Sequence, residues 1–146
     1  MTLAINIIVL IIGGLLALQG VINAKLSSYL PHPLQAAVIS FSVGTTVLLA
    51  LSLLTGESPP SLSQWRSIPW YLFIGGLLGA LMVSSAILLI PKIGATSFIG
   101  GIIVGQLIAA LLLDHFGVLG LDIRPINSQR ILGVVLLIAG FLLTRR

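Results

Sequence analysis

Long apolar segments separated by short polar breaks make up most of this chain. A helix that crosses a membrane needs about 20 mostly apolar residues, because each residue adds about 1.5 Å along the helix axis. Five segments reach or approach that length, and they cover residues 3–24, 33–55, 69–90, 95–113 and 131–144. The fifth is the shortest, and we expect it to extend back to Gln129 or Arg130, whose long side chain can reach the interface. The pattern predicts an all-α integral membrane protein with one five-helix transmembrane domain, residues 1–146.

The breaks between these segments contain residues that end helices. Residues 31–33 read PHP, and residues 56–60 read GESPP and open a polar loop that runs to Arg66. Proline lacks a backbone N–H and clashes with the preceding turn of a helix, so we expect a helix to end at each of these two breaks. Residues 91–94 read PKIG and predict a very short connection between the third and fourth spans. The longest interruption covers residues 114–129.

Composition supports a lipid-facing surface. Of the 146 residues, 58% are hydrophobic and only 7% are charged. A soluble domain has roughly 25% charged residues, because its surface must face water. This chain cannot cover itself with polar groups, so we expect the lipid bilayer to surround it. Its net charge of +4 is scattered along the chain, and without a basic run there is no reason to expect a nucleic-acid partner.

The sequence offers little chemistry for catalysis. It contains no cysteine, no metal-ligand cluster, no Ser/His/Asp arrangement and no phosphate-binding loop. We therefore expect a protein that is not an enzyme and that binds no cofactor or metal. No charged residue lies well inside a predicted span, and only Asp114 and His115, at the exit of the fourth, could take part in proton coupling. The other interpretation, which we prefer, is that this pair forms an interfacial cap or part of a loop hydrogen-bond network.

Small residues recur on single helix faces, as they do where transmembrane helices approach closely. The fourth span has Ser97, Gly101, Gly105 and Ala109 at four-residue spacing, and the third has Gly75 and Gly79. These residues predict close helix packing. The sequence leaves open whether that packing lies within one protomer or in a dimer interface.

Uncharged polar residues at depth are the candidate substrate-binding groups. Gln19 and Asn23 are four residues apart in the first span, Gln106 is near the middle of the fourth, and Ser84 and Ser85 lie in the third. An amide in hydrocarbon without a partner costs several kcal/mol, so it should face protein or a watery cavity. One interpretation is hydrogen bonding between helices. The sharper one is that Gln19, Asn23 and Gln106 line a shared polar cavity, with the two serines as weaker candidates.

Short motifs along nearly the whole chain resemble a known family. They are LQGVINAKL at 18–26, SFSVGT at 40–45 after Ala36 and Ala37, Trp70 with GGLLG at 75–79, PKIGA at 91–95, GQ at 105–106, DHFG at 114–117, and Arg130 leading into Gly133 and Gly140. In this order they resemble the YdcZ-like family of the drug/metabolite transporter superfamily.

That resemblance implies a five-helix half-transporter of the bacterial inner membrane. Larger members of the superfamily hold two such halves in inverted orientation, and small members pair as antiparallel dimers. The substrates implied are small metabolites, toxic compounds or cations. This sequence departs from the small multidrug-resistance relatives because its first helix has no membrane-embedded glutamate. Their exchange of cations for protons therefore cannot be transferred to this chain.

The leading functional hypothesis is a small-solute transporter or exporter that works as a dimer by alternating access. A non-transporting membrane subunit, which assembles with or stabilises a larger complex, is the alternative, and a channel is a third. Orientation depends on the excess of Lys and Arg on one side of the membrane. Five spans would place Arg66, Arg124 and Arg130 on one side, and Lys25, Lys92, Arg145 and Arg146 on the other. This balance predicts dual topology and an antiparallel homodimer.

Overall fold

A computed structural model describes residues 2–56 and 58–144, and these form helices joined by short loops. The α-helices are α1 (Thr2–Ser27), α2 (Pro33–Leu54), α3 (Leu62–Ser67), α4 (Ile74–Ile93), α5 (Ala95–Phe116) and α6 (Ser128–Thr144). Short 3-10 helices occupy Trp70–Phe73 and Val118–Gly120. The chain divides into two compact units, Met1–Pro91 and Lys92–Arg146. Glu57 of the predicted polar loop, and Arg145 and Arg146 of the charge balance, lie outside the described residues.

Four helical stretches are long and apolar enough to cross a membrane, and they are Leu3–Ser27, Pro33–Leu54, Trp70–Ile93 and Ala95–Phe116. Ser128–Thr144 is a shorter apolar helix of 17 residues. The prediction of an all-helical membrane protein is confirmed. The fifth segment begins at Ser128, so the expected extension back through Gln129 is also correct.

Local sequence explains most helix boundaries. Pro33 opens α2, the His32 side chain accepts the N–H of Leu34, and the Gln35 side chain accepts the N–H of His32. This reciprocal capping bonds two N–H groups that a helix start leaves free. At the C-terminal end of the fourth span, Gly117 adopts the left-handed conformation (φ 60°) that ends α5.

Several boundaries differ from the sequence prediction. α1 runs to Ser27 instead of residue 24, and α5 runs to Phe116 instead of residue 113. The third span does not stop at Ile90, because α4 continues through Pro91 to Ile93. Proline cannot donate to the carbonyl four residues back, but in the last turn this removes only one helix bond. Gly94, with φ 81°, ends the helix instead. The predicted polar loop contains α3, which begins at a Ser61 cap whose side chain accepts the N–H of Gln64.

In the unit Met1–Pro91, alanines provide the closest packing. Ala36 and Ala37 of α2 are buried with Ile87 of α4 and form a small core. Small side chains let helices approach so that backbone and side-chain atoms make many dispersion contacts, which is the main attraction available between helices in lipid. The first half of α1 takes no part in this core, since residues 3–16 are all exposed.

In the unit Lys92–Arg146, one aromatic ring joins α5 to α6. A Cβ atom placed on Gly100 would lie 2.9 Å from Phe141 Cδ2, and one placed on Gly101 would lie 3.5 Å from Phe141 Cζ. The Phe141 ring therefore lies directly on the backbone of α5, in space that only glycine leaves free. The packing predicted for Gly101 is thus within one protomer.

Candidate functional site

Asn23 is the most unusual polar residue of the spans. Its side chain is 4% exposed, and its Nδ2 has no hydrogen-bond partner among the described residues. Leaving a buried donor unpaired costs about 1–3 kcal/mol, since the group has lost water and gained nothing in return. Such a group is rare in folded proteins and calls for an explanation, such as an ordered water or ion at the site or a role in function.

The face of α1 that contains Asn23 packs against α4. Gly20 is one helical turn earlier on the same face, and a Cβ atom there would lie 3.0 Å from Ile90 Cδ1 and 3.9 Å from Ala86 Cβ. Gln19, one turn before Asn23, is exposed. The two amides that the sequence paired on one face thus have different surroundings, and only Asn23 is enclosed.

The two candidate serines of α4 differ as well. Ser84 lines an open groove of about 680 Å³ between α2 and α4, together with the hydroxyls of Ser42, Thr45 and Thr46. Thr46 donates its hydroxyl to the carbonyl of Ser42 at 2.8 Å, so it is partly satisfied within its own helix. Ser85 is half-buried and does not line the groove. The groove thus brings hydroxyls of α2 and α4 onto one surface.

The predicted packing glycines of α4 have unequal roles. A Cβ atom on Gly79 would lie 3.7 Å from Phe41 Cζ, so this glycine faces α2 at ordinary van der Waals distance. Gly75, one turn earlier, has nothing within 4 Å of a Cβ position. Only the Gly79 end of the pair is used for packing between the described helices.

The small-residue face of α5 is likewise packed at one end and exposed at the other. Ser97 is buried and Gly101 contacts Phe141, but Gly105 and Ala109 are exposed, with open space around Gly105. Gln106, beside Gly105, is exposed too. In a membrane, the exposed amide of Gln106 makes lipid an unfavourable surrounding for this half of the face.

A polar network joins the C-terminal end of α5 to the following loop and to α6. Asp114 forms a salt bridge with Arg130 of α6, which also donates to the carbonyl of Arg124 at 2.9 Å. The N–H of Arg124 bonds the carbonyl of Asp114 at 2.8 Å, and His115 Nδ1 accepts the N–H of Ile126 at 3.2 Å. The interpretation of Asp114 and His115 as members of a loop network is confirmed. No signal in the sequence indicated that Arg130 was the partner of Asp114.

These observations define the class of protein: a multi-pass helical membrane protein whose described spans carry charge only near their ends and neutral polar groups at depth. Residues 4–143 match the family described as "Putative inner membrane exporter, YdcZ", and the chain belongs to that family. It is therefore a multi-pass protein of the inner membrane.

One curated relative is the inner membrane protein YdcZ of Escherichia coli (strain K12), which is 35% identical over 80 residues. The match covers 55% of this chain and 53% of the relative, so it spans about half of the relative's length. No solved structure matches the chain.

Proposed function

We propose that this protein is a small-solute transporter or exporter of the inner membrane, acting as a dimer by alternating access. The family to which it belongs is described as an exporter family, which supports transport in general. The observation on which the proposal rests is the unpaired, buried Nδ2 of Asn23.

Alternating access would explain why the buried amide of Asn23 is left without a hydrogen-bond partner. A carrier needs at least two conformations, and a group that binds substrate in one is enclosed in another. An orphan donor destabilises the enclosed conformation and so lowers the free energy needed to leave it. The neighbouring Gly20, against which Ile90 packs, would let α1 slide on α4 without a side chain in the way.

The dimer is proposed from two features. The α5 face at Gly105 and Ala109 is open and bordered by the amide of Gln106, as expected where a second chain packs. The near-equal Lys and Arg counts on the two sides favour copies inserted in both orientations. An antiparallel homodimer would supply the inverted pair that many transporters contain within one chain.

The test begins with a ligand-induced thermal-shift screen of the detergent-solubilised protein, followed by flux assays on the hits in proteoliposomes. Asn23→Leu should abolish flux and the thermal shift, because it removes the donor. It should leave stability unchanged or raised, since leucine of similar volume replaces an unsatisfied amide. Gln129→Leu, at an exposed amide of α6, is the matched control and should retain flux.

The same samples address the alternative of a non-transporting subunit. A self-dimer that binds ligand and loses flux in Asn23→Leu supports transport. Normal flux in Asn23→Leu with loss of stability would make Asn23 structural and refute its substrate role. Recovery of the protein only in a complex with a different chain, with no ligand response, would favour the subunit.

A further inference from the structure

A hydrogen bond between His115 and Ile126 ties the end of α5 to the start of α6. His115 Nδ1 accepts the N–H of Ile126 at 3.2 Å, although the two residues are 11 positions apart in the chain. Ile126 directly precedes Asn127, whose side chain accepts the N–H of Arg130 at 2.9 Å and caps the first turn of α6. The bond from His115 therefore fixes the point at which the loop enters α6.

This bond requires a neutral imidazole. A backbone N–H can only donate, so the nitrogen that it contacts must offer a lone pair, and the ring proton of neutral His115 must then be on Nε2. In an imidazolium both ring nitrogens are donors, so Nδ1 can no longer accept. Histidine side chains commonly gain this second proton between about pH 8 and pH 5. A change of pH within this range therefore decides whether the bond can form.

The other polar contacts at this end of α5 do not use the His115 ring. Asp114 forms a salt bridge with Arg130, which also donates to the carbonyl of Arg124. The His115 ring lies edge-on to that of Phe116, with 4.8 Å between the ring centroids. The elements that meet here carry two negative and two positive charges, on Asp114 of α5, Asp122 and Arg124 of the loop, and Arg130 of α6. The network is thus neutral overall before His115 is protonated.

A second bond of the loop has an acceptor that does not titrate. The N–H of Arg124 donates to the backbone carbonyl of Asp114 at 2.8 Å. Acid should therefore release Ile126 while this neighbouring bond stays in place. His32 also accepts through Nδ1, but from Leu34, only two residues away. Protonation of His32 would affect the start of α2, whereas protonation of His115 would affect the connection between two spans.

We propose that His115 is a proton-sensitive latch, in which neutral Nδ1 binds the N–H of Ile126 and protonation of Nδ1 releases it. The bond is present at high pH and is lost as the pH falls, because only the neutral ring can accept. The freed N–H then turns to water, and the start of α6 stays attached to α5 through Asp114 and Arg130. Acid on the side of the membrane where the loop lies would thus loosen the α5–α6 connection. The latch does not depend on what the protein transports.

The test is hydrogen exchange of single backbone amides, followed by NMR in mixed micelles on protein with isotopically labelled isoleucine and arginine. Each exchange rate is compared with the intrinsic rate at the same pH to give a protection factor, and Ile126→Val identifies the Ile126 signal by removing it. The protection of Ile126 should fall by about two- to tenfold between about pH 8 and pH 5, as expected for the loss of one neutral hydrogen bond. The protection of Arg124 should not change.

Two variants separate the latch from other effects of acid. In His115→Asn, the side-chain oxygen is as far from the backbone as Nδ1 and can accept the same N–H, but the amide does not titrate. This variant should keep Ile126 protected at both pH values. His115→Leu removes the acceptor and should leave Ile126 equally unprotected at both.

Three results would overturn the proposal. Constant protection of Ile126 across this pH range in the unmodified protein would mean that the bond does not respond to protonation. An equal loss of protection in His115→Asn, or at Arg124, would assign the effect to another titrating group. Full protection of Ile126 in His115→Leu at high pH would mean that other contacts hold the segment. Should His115→Leu fail to fold, the comparison of the unmodified protein with His115→Asn still decides the question.

Discussion

The contact between Phe141 and the α5 backbone predicts a measurable difference between two glycines on the same helix. Gly100→Ala places a methyl group 2.9 Å from Phe141 Cδ2. Gly105→Ala, little more than one turn further along, places the same methyl group in open space. The pair separates the effect of contact with α6 from the general effect of replacing glycine by alanine in a helix.

The expected magnitude has two parts. Alanine is favoured over glycine in a helix interior by about 1 kcal/mol, and both variants receive that gain. Overpacking a close contact costs about 1–3 kcal/mol. At 2.9 Å the new methyl group and the ring cannot both keep their positions, so the ring or the α5 backbone must shift. Gly100→Ala should therefore be less stable than Gly105→Ala by about 1–3 kcal/mol in free energy of unfolding.

The assay is reversible unfolding of both variants in mixed micelles, followed by circular dichroism at a protein concentration where the chain is monomeric. Phe141→Leu combined with Gly100→Ala should remove most of the deficit, because the smaller side chain leaves room for the methyl group. Equal stabilities of the two alanine variants would refute the packing of Phe141 on Gly100. A deficit that Phe141→Leu does not relieve would assign the strain to another neighbour.

Three further predictions concern the proposed dimer and transport. Gly105→Leu should leave the monomer's unfolding free energy nearly unchanged but weaken self-association in analytical ultracentrifugation; unchanged association would mean that this face contacts lipid. Gln106→Leu, at the amide that borders this face, should also weaken self-association while the monomer's folding stays intact; unchanged association with loss of flux would instead make Gln106 a substrate-binding residue. Two reporters fused to the C-terminus, one active only in the cytoplasm and one only outside it, should give comparable signals. A signal from one reporter alone would contradict the antiparallel homodimer, unless a separate partner chain of opposite orientation exists.

The spans were predictable because hydropathy and helix-ending residues act locally. The start of α2 at Pro33 follows directly from the sequence. Pro91 was misjudged because the effect of proline depends on its distance from the helix end, and that end is set by Gly94. The Ser61 and Gln64 cap was a usable local signal for α3 that the prediction passed over.

Which face of each helix packs could not be predicted, because lipid-facing and protein-facing sides of a membrane helix have similar composition. The four-residue spacing that selected Gly101 and Gly105 gave no sign that Phe141 would lie on Gly100 and Gly101. In the same way, Gln19 and Asn23 share a face by periodicity, yet only Asn23 is buried. α1 contacts α4 through Gly20, and Gln19 lies about 100° around the helix from Gly20, outside that contact.

The kind of polar group in the spans limits how a substrate could be selected. A neutral hydrogen bond contributes about 0.5–1.5 kcal/mol net, and about 1.4 kcal/mol corresponds to a factor of ten in affinity. A ligand without an acceptor would leave the Asn23 Nδ2 unpaired at a cost of about 1–3 kcal/mol, so this group could discriminate between ligands by about tenfold to a hundredfold. A charged substrate would need an opposite charge at depth, and the charged residues of the long described helices lie in their terminal turns, with Asp114 already paired to Arg130. We therefore expect substrates to be neutral and largely apolar, with one hydrogen-bond acceptor for Asn23, and to be distinguished mainly by size.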